Sequence, residues 1–222
     1  MLSIKEYFLR FPPLYLGLMR LFGRHHHRPK YVREYIRPFS GASILDIGCG
    51  PADILEYLPS DIEFFGIDYE QSYIDAANEK YGHRAQFICK SVDDVVADMV
   101  AQFDIVLATG VLHHLDDEQC RHLMKVAAKA LKPTGRFVTW DGCFRKGQSP
   151  IARFLLSNDR GKFVRESAAY VNLAKEAFPH VSASVREDLL RVPYTLNIMT
   201  CSLAPVEHAV RTGTSEAVAV TR

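Results

Sequence analysis

The stretch Ser43-Ile-Leu-Asp-Ile-Gly-Cys-Gly-Pro51, with Phe64-Phe-Gly-Ile-Asp68 behind it, decides the fold of this chain. An apolar run reaches two glycines, a helix is expected next with Pro51 in its first turn, and a second apolar run ends on a carboxylate. Asp68 falls twenty positions after Gly48. This is the layout of a βαβ unit that holds a nucleoside. The glycines let the backbone approach the ligand, and the later acid accepts hydrogen bonds from two ribose hydroxyls. Two details count against a dinucleotide. The sixth position of G-x-G-x-x-G is Asp53 instead of Gly or Ala, and Asp46 stands two residues before the first glycine.

Outward from this unit the pattern alternates strand and helix. Strands are expected at Ser43–Ile47, Glu63–Ile67, Ala85–Cys89, Phe103–Thr109 and Arg136–Asp141, with helices over Ser72–Tyr81 and Glu118–Leu131. The second helix stops at Lys132-Pro-Thr-Gly135, with Pro and Gly in the order that ends a helix. Residues 142–165 read as irregular and basic, and a helix follows over Glu166–Phe178. Val181–Leu189 and Tyr194–Ser202, around Arg191-Val-Pro-Tyr, read as a closing antiparallel pair. The expectation is an α/β, doubly wound, mainly parallel seven-stranded sheet with a closing antiparallel hairpin and an N-terminal helical cap. Ligands in such sheets sit beyond the carboxyl ends of the strands.

Residues 1–39 are read as that cap, 40–203 as the main domain and 204–222 as a mobile tail of small and polar residues. Ile4, Phe8 and Phe11, then Leu14, Leu18, Leu21 and Phe22, fall near helical spacing. His25-His-His27 reads as a solvated turn, because metal ligands come from separated positions that can face one ion.

Composition narrows the function classes. The chain has 222 residues, 48% of them hydrophobic, and a formal net charge of +1, so no global field favours nucleic acid or an anionic membrane. The five cysteines include no C-x-x-C pair and Cys49 lies in the glycine loop, which suits reduced thiols and a cytoplasmic setting. No apolar run is long enough to span a membrane, and Lys5, Glu6 and Arg10 do not suit a cleavable signal peptide.

Leu45-Asp-Ile-Gly-Cys-Gly50 resembles the first motif of the class I (Rossmann-like) S-adenosylmethionine (SAM) methyltransferases. The resemblance covers roughly residues 40–141 and, more loosely, the hairpin to about residue 203. It implies SAM as cofactor. Asp46, Gly48, Cys49 and Gly50 match the residues around its methionine part, Asp68 the acid on the ribose, and Tyr69 the adenine edge. Where many members carry an adenine-binding acid after strand three, this chain has Ser91, which leaves Val92 and Asp93 as the adenine contacts. Phe103-Asp-Ile-Val-Leu-Ala-Thr-Gly110 with Val111-Leu-His-His-Leu115 resembles the fourth-strand motif, whose end, here Thr109, lies beside the transferring methyl.

His113 or His114, but not both, is a candidate base, since adjacent side chains diverge and imidazole exchanges protons near neutral pH. Asp141, ending strand five beside Trp140, is a third candidate. No metal site is expected. The chain lacks an Asn/Asp-Pro-Pro-Tyr/Phe tetrapeptide or a Pro-Cys after strand four, and it has no added basic RNA-binding module. A methyltransferase of a small-molecule acceptor, at oxygen, is the expectation. The alternatives are a nucleotide-dependent oxidoreductase, a non-catalytic SAM-binding partner module, and an enzyme for a membrane-associated, lipid-like acceptor anchored through residues 4–22. Arg145-Lys-Gly-Gln148 and Asn158-Asp-Arg-Gly-Lys162 read as solvated loops, or else as contacts to an anionic substrate.

Overall fold

The structure, a computed structural model, describes residues 24–96, 99–159 and 161–205, without the side chains of residues 24–27, 93 and 96. One sheet organises them, in strand order β3-β2-β1-β4-β5-β8-β7. Its strands are β1 Ser43–Ile47, β2 Glu63–Asp68, β3 Gln86–Cys89, β4 Phe103–Thr109, β5 Leu131–Phe144, β7 His180–Arg186 and β8 Leu196–Ser202. The β1–β5 pairings are parallel, and β8 runs antiparallel between β5 and β7. A two-residue β6, Arg165–Glu166, pairs with the end of β5.

β1 is central and buried at every residue, because helices cover both faces of the sheet. One face packs Leu45, Val106 and Phe137 against α4 (Asp117–Ala130) and α6 (Ser167–Lys175), through Leu123, Met124, Tyr170 and Leu173. The other packs Ile44, Ile105 and Val138 against Leu55, Leu156, Tyr31 and Ile36. α4 starts at a capping box: the Asp116 carboxylate accepts from Gln119 N–H, and the Gln119 side chain accepts from Asp116 N–H. α2 (Gln71–Tyr81) and the short α3 (Val92–Val96) complete the crossovers.

Several boundaries differ from the sequence expectation. Pro51 lies in a turn; Ala52 takes φ +54°, and a 3-10 helix, Asp53–Tyr57, replaces the expected α-helix. β5 begins at Leu131, which already pairs with Phe103, and the register shifts before Arg136 pairs with Ile105. Lys132-Pro-Thr-Gly135 is therefore a bulge within one strand, where a Cβ on Gly135 would stand 2.9 Å from the Phe103 carbonyl oxygen. Residues 142–165 are only partly irregular. β5 continues to Phe144, and α5 (Pro150–Ser157) follows, its N–H groups capped by Ser149 with Pro150 in the first turn. The hairpin strands are shorter than read, leaving Leu189 and Tyr194 buried in their connection.

His25-His-His27 falls not in a turn but in α1, Arg24–Tyr31. Pro29 cannot donate within α1, and the chain continues as one π-helical turn, Val32–Ile36, closed by Arg37 N–H on the Val32 carbonyl at 2.7 Å. The helices expected over 4–22 and nearly all of the tail lie outside the described residues.

Candidate active site

The glycine loop is shaped by where it must stay attached. Gly48 and Cys49 donate to the Ile67 carbonyl at 2.8 and 3.1 Å, so the chain leaves β1 while still tied to β2. Gly48 has φ +72°, and a Cβ there would stand 2.7 Å from Val111 Cγ2. Gly50 has φ +54°, and a Cβ there would meet nothing within 4 Å. The first glycine is required by conformation and packing together; the second opens onto free space.

Two carboxylates border that space. Asp68, buried at the end of β2, accepts from Gly50 N–H at 2.9 Å and from Glu70 N–H at 3.0 Å, one on each oxygen. A carboxylate oxygen can accept two hydrogen bonds, so both keep a lone pair. Asp46 is 4% exposed, and its Oδ1 has no hydrogen-bond partner among the described residues. Burial pushes its pKa up to about 7, the nearby Arg28 charge pulls it down and Asp68 pushes it further up. Burial, with Asp46 and Asp68, also raises the Cys49 thiol far above neutrality, so Cys49 is no thiolate nucleophile. Tyr69, next to Asp68, leaves its ring 86% exposed. Val92, half-buried, opens α3 after β3; the side chain of Asp93 lies outside the described residues.

The ends of β4 and β5 form the other wall. Thr109 Oγ1 lies 3.4 Å from the Tyr31 hydroxyl, and the Tyr31 ring meets Trp140 edge-on at 4.8 Å. Gly110 N–H donates to the Trp140 carbonyl, holding the turn that follows β4 against β5. That turn, Leu112–His114, is 3-10; it buries His113 and leaves His114 exposed, but the two side chains do not diverge as their adjacency implied. His113 is buried, with Nδ1 2.9 Å from Asp141 Oδ1, which also accepts the His113 backbone N–H at 3.2 Å. His114 is exposed, its ring 4.2 Å from that of His113. Of the three candidate catalytic residues, His113 and Asp141 are thus joined by a hydrogen bond, and His114 lies against the His113 ring from the exposed side.

Asp159 was not singled out from the sequence. Its Oδ1 lies 3.5 Å from His113 Nε2 and accepts from Gly161 N–H at 3.0 Å, and its Oδ2 accepts from the Tyr194 hydroxyl at 2.7 Å. Burial disfavours charge on His113, but the contacts to Asp141 and Asp159 outweigh it and hold its pKa at about 9. Burial would raise Asp159, and hydrogen bonds from His113, Gly161 and Tyr194 hold it well below the carboxylate range instead. The Asn158-Asp-x-Gly turn was the available signal, masked by its basic neighbours. Tyr31 and Arg28 were also missed, because a Pro-broken, His-rich segment reads as a connection.

The acids and the loop fit SAM. An unpartnered buried carboxylate oxygen suits the methionine ammonium, free lone pairs on Asp68 suit a ribose diol, and the space over Gly50 suits a ligand passing close to the backbone. Two solved structures share the fold. SibL, described as S-adenosylmethionine-dependent and in its apo form, superposes with TM-score 0.68 at 16% identity over 89% of this chain and 61% of its own. PigF with SAH gives TM-score 0.62 at 18% identity over 86% and 66%. The likeness is one of fold: the mainly parallel sheet with its closing antiparallel pair is common to all three chains.

Sequence comparison adds a family match over part of the chain. Residues 44–135 match the family described as Methyltransferase domain. The Ubiquinone biosynthesis O-methyltransferase of Idiomarina loihiensis is 24% identical over 110 residues, 48% of this chain and 44% of that protein. Over these residues the chain is similar to SAM-dependent methyltransferases. The chain spans less than half the length of the curated relatives it matches.

Proposed function

We propose that the chain transfers a methyl group from SAM to a hydroxyl oxygen of a small molecule. The observation that carries this reading is the His113–Asp141 contact of 2.9 Å at the ends of β5 and of the turn after β4, beside the glycine loop. The O-methyltransferase relatives support oxygen as the acceptor atom. Bound SAM supplies an electrophilic methyl group on a sulfonium whose leaving group is neutral.

Asp46 and Arg28 orient the amino-acid part, Asp68 holds the ribose, and Tyr69 with Val92 and Asp93 borders the adenine. Alignment of acceptor, methyl and sulfur then provides much of the rate. Asp141 accepts from Nδ1, which leaves Nε2 of His113 as the atom that takes the hydroxyl proton. Burial raises the Asp141 carboxyl, and its second oxygen has no hydrogen-bond partner among the described residues.

Residues 24–39 act as part of the cap: Tyr31 closes over Thr109 and Trp140 and walls the acceptor side. The five thiols are all free, which supports a reducing, cytoplasmic setting, and among the described residues no helix is long and apolar enough to cross a membrane. The test is calorimetric binding of SAM and S-adenosylhomocysteine, then labelled-methyl transfer to a panel of phenols and alcohols. Tight NADH binding without SAM binding would overturn the reading.

A further inference from the structure

The strap between α5 and β6 closes over His113 from the side opposite Asp141. The backbone N–H of Phe163 donates to the His113 carbonyl at 3.0 Å, and a Cβ on Gly161 would stand 2.0 Å from His113 Cδ2. Glycine is what lets the strap lie flat on the imidazole. Arg165 pins the strap's far end, donating to the carbonyls of Leu112 and Leu115 and to Asp117. At its near end Asp159 faces Nε2, held there by Tyr194 and by Gly161 N–H. Nε2 is the atom an acceptor hydroxyl has to reach.

We propose that Asp159 is a positioning residue that occupies the Nε2 side of His113 in the closed strap and has to withdraw before an acceptor hydroxyl can take its place. This rests on the O-methyl transfer reading. With both ring nitrogens against carboxylates the imidazole is a stable cation and no base. When Asp159 leaves, the Nε2 proton goes to solvent. Nε2 then has a lone pair for the acceptor's hydroxyl proton, the methyl–oxygen bond forms, and the carbon–sulfur bond breaks.

Tyr194 gives the route for that withdrawal. It holds Asp159, and it also lines an open cleft of about 330 Å³ with Ser149, Glu187, Leu190, Arg191 and Pro193. A molecule entering the cleft meets the residue that fixes Asp159.

The titratable groups around the ring are Asp141 from β5, Asp159 from the strap, His114 tilted against it, and Arg165 on the neighbouring carbonyls. Cys120 donates to the Leu112 carbonyl, and Tyr170 lies in the field of Asp141; burial raises both, Cys120 to about 11, so they stay neutral near pH 7. Asp159 is thus the carboxylate whose removal leaves the orienting bond to Asp141 intact.

The test needs no acceptor at first. Histidine-labelled protein is titrated by NMR, with His113 assigned from His113→Gln, in wild type and in Asp159→Asn. Tyr194→Phe, which keeps the carboxylate but loses its anchor, serves as the second variant. The expected result is a wild-type His113 titration well above 6.5 that falls by one pH unit or more in Asp159→Asn, and by less in Tyr194→Phe. An unmoved His113 titration in Asp159→Asn overturns the proposal without touching the methyl-transfer reading. With an acceptor in hand, the acid limb of kcat/KM should move down by the same amount in Asp159→Asn, and a limb at unchanged pH overturns it equally.

Discussion

The Asp68 carboxylate accepts the backbone N–H of Gly50 at 2.9 Å, across eighteen residues of chain. The acid at the end of β2 therefore fixes the glycine loop, and in the proposed reading it also holds the ribose. This doubles what its loss should do. Asp68→Ala removes two ribose hydrogen bonds, each worth about 1.5–3 kcal/mol for a charged acceptor, and frees the loop. Calorimetry should show SAM binding weakened by two orders of magnitude or more, with Asp68→Asn between that and wild type. Equal affinity in wild type and Asp68→Ala would remove Asp68 from the site.

Asp46 sets a pH dependence for cofactor binding. Its pKa stands at about 7, so below that pH the carboxyl is protonated and holds no ammonium. SAM affinity should rise between about pH 6 and 8 in wild type and stay flat in Asp46→Asn. Stability moves the other way. A carboxyl raised in the folded state binds its proton more tightly there than in the unfolded chain, so folding stability falls as pH rises from the ordinary value of 3.8 to about 7 and levels off above it. Ligand-free Asp46→Asn should consequently be more stable than wild type at pH 8, by on the order of 1–3 kcal/mol. Thermal melts at pH 5 and 8 check this.

His113 carries the opposite sign. Its folded pKa of about 9 exceeds the unfolded value of 6.5, so its contribution is fully present below pH 6.5 and lost as pH rises through 9. At 1.36 kcal/mol per unit this is roughly 3 kcal/mol. Denaturant unfolding should show wild type losing stability between pH 6.5 and 9.5, and His113→Gln losing much less over the same range. Parallel profiles would mean that the imidazole is neutral in the fold.

Tyr31 should matter to folding through its ring and to the site through its hydroxyl. The ring is 1% exposed and packs on Trp140, so Tyr31→Ala should cost about 3–5 kcal/mol, as large aromatic truncations do. Tyr31→Phe loses only the 3.4 Å contact with Thr109 and should keep the melting temperature within a few degrees. Truncations for activity tests should therefore stop before α1. Tyr31, Val32 and Ile36 belong to the core, and Arg136 donates to the Ile36 carbonyl. A stable Tyr31→Ala would show that α1 is not part of that core.

Local sequence determined much of this molecule. The strands Ser43–Ile47 and Phe103–Thr109 appear with the bounds their apolar runs imply, because a buried strand in a parallel sheet needs apolar residues on both faces. The Gly-Cys-Gly loop and Asp68 were legible because only glycine takes such φ values near a ligand without cost, and because the βαβ spacing delivers the acid to the same edge. Tertiary structure decided the rest. Nothing local distinguishes His113 from His114; one is buried because the turn rotates it toward Asp141, a residue 28 positions away. Asp159, held by Tyr194 from 35 positions away, meets that imidazole only because the strap crosses it at Gly161. A carboxylate in a basic stretch reads as solvated until packing gives it a cation to face. Contacts between distant positions follow from how the sheet is wound, and that is settled by burying both faces at once.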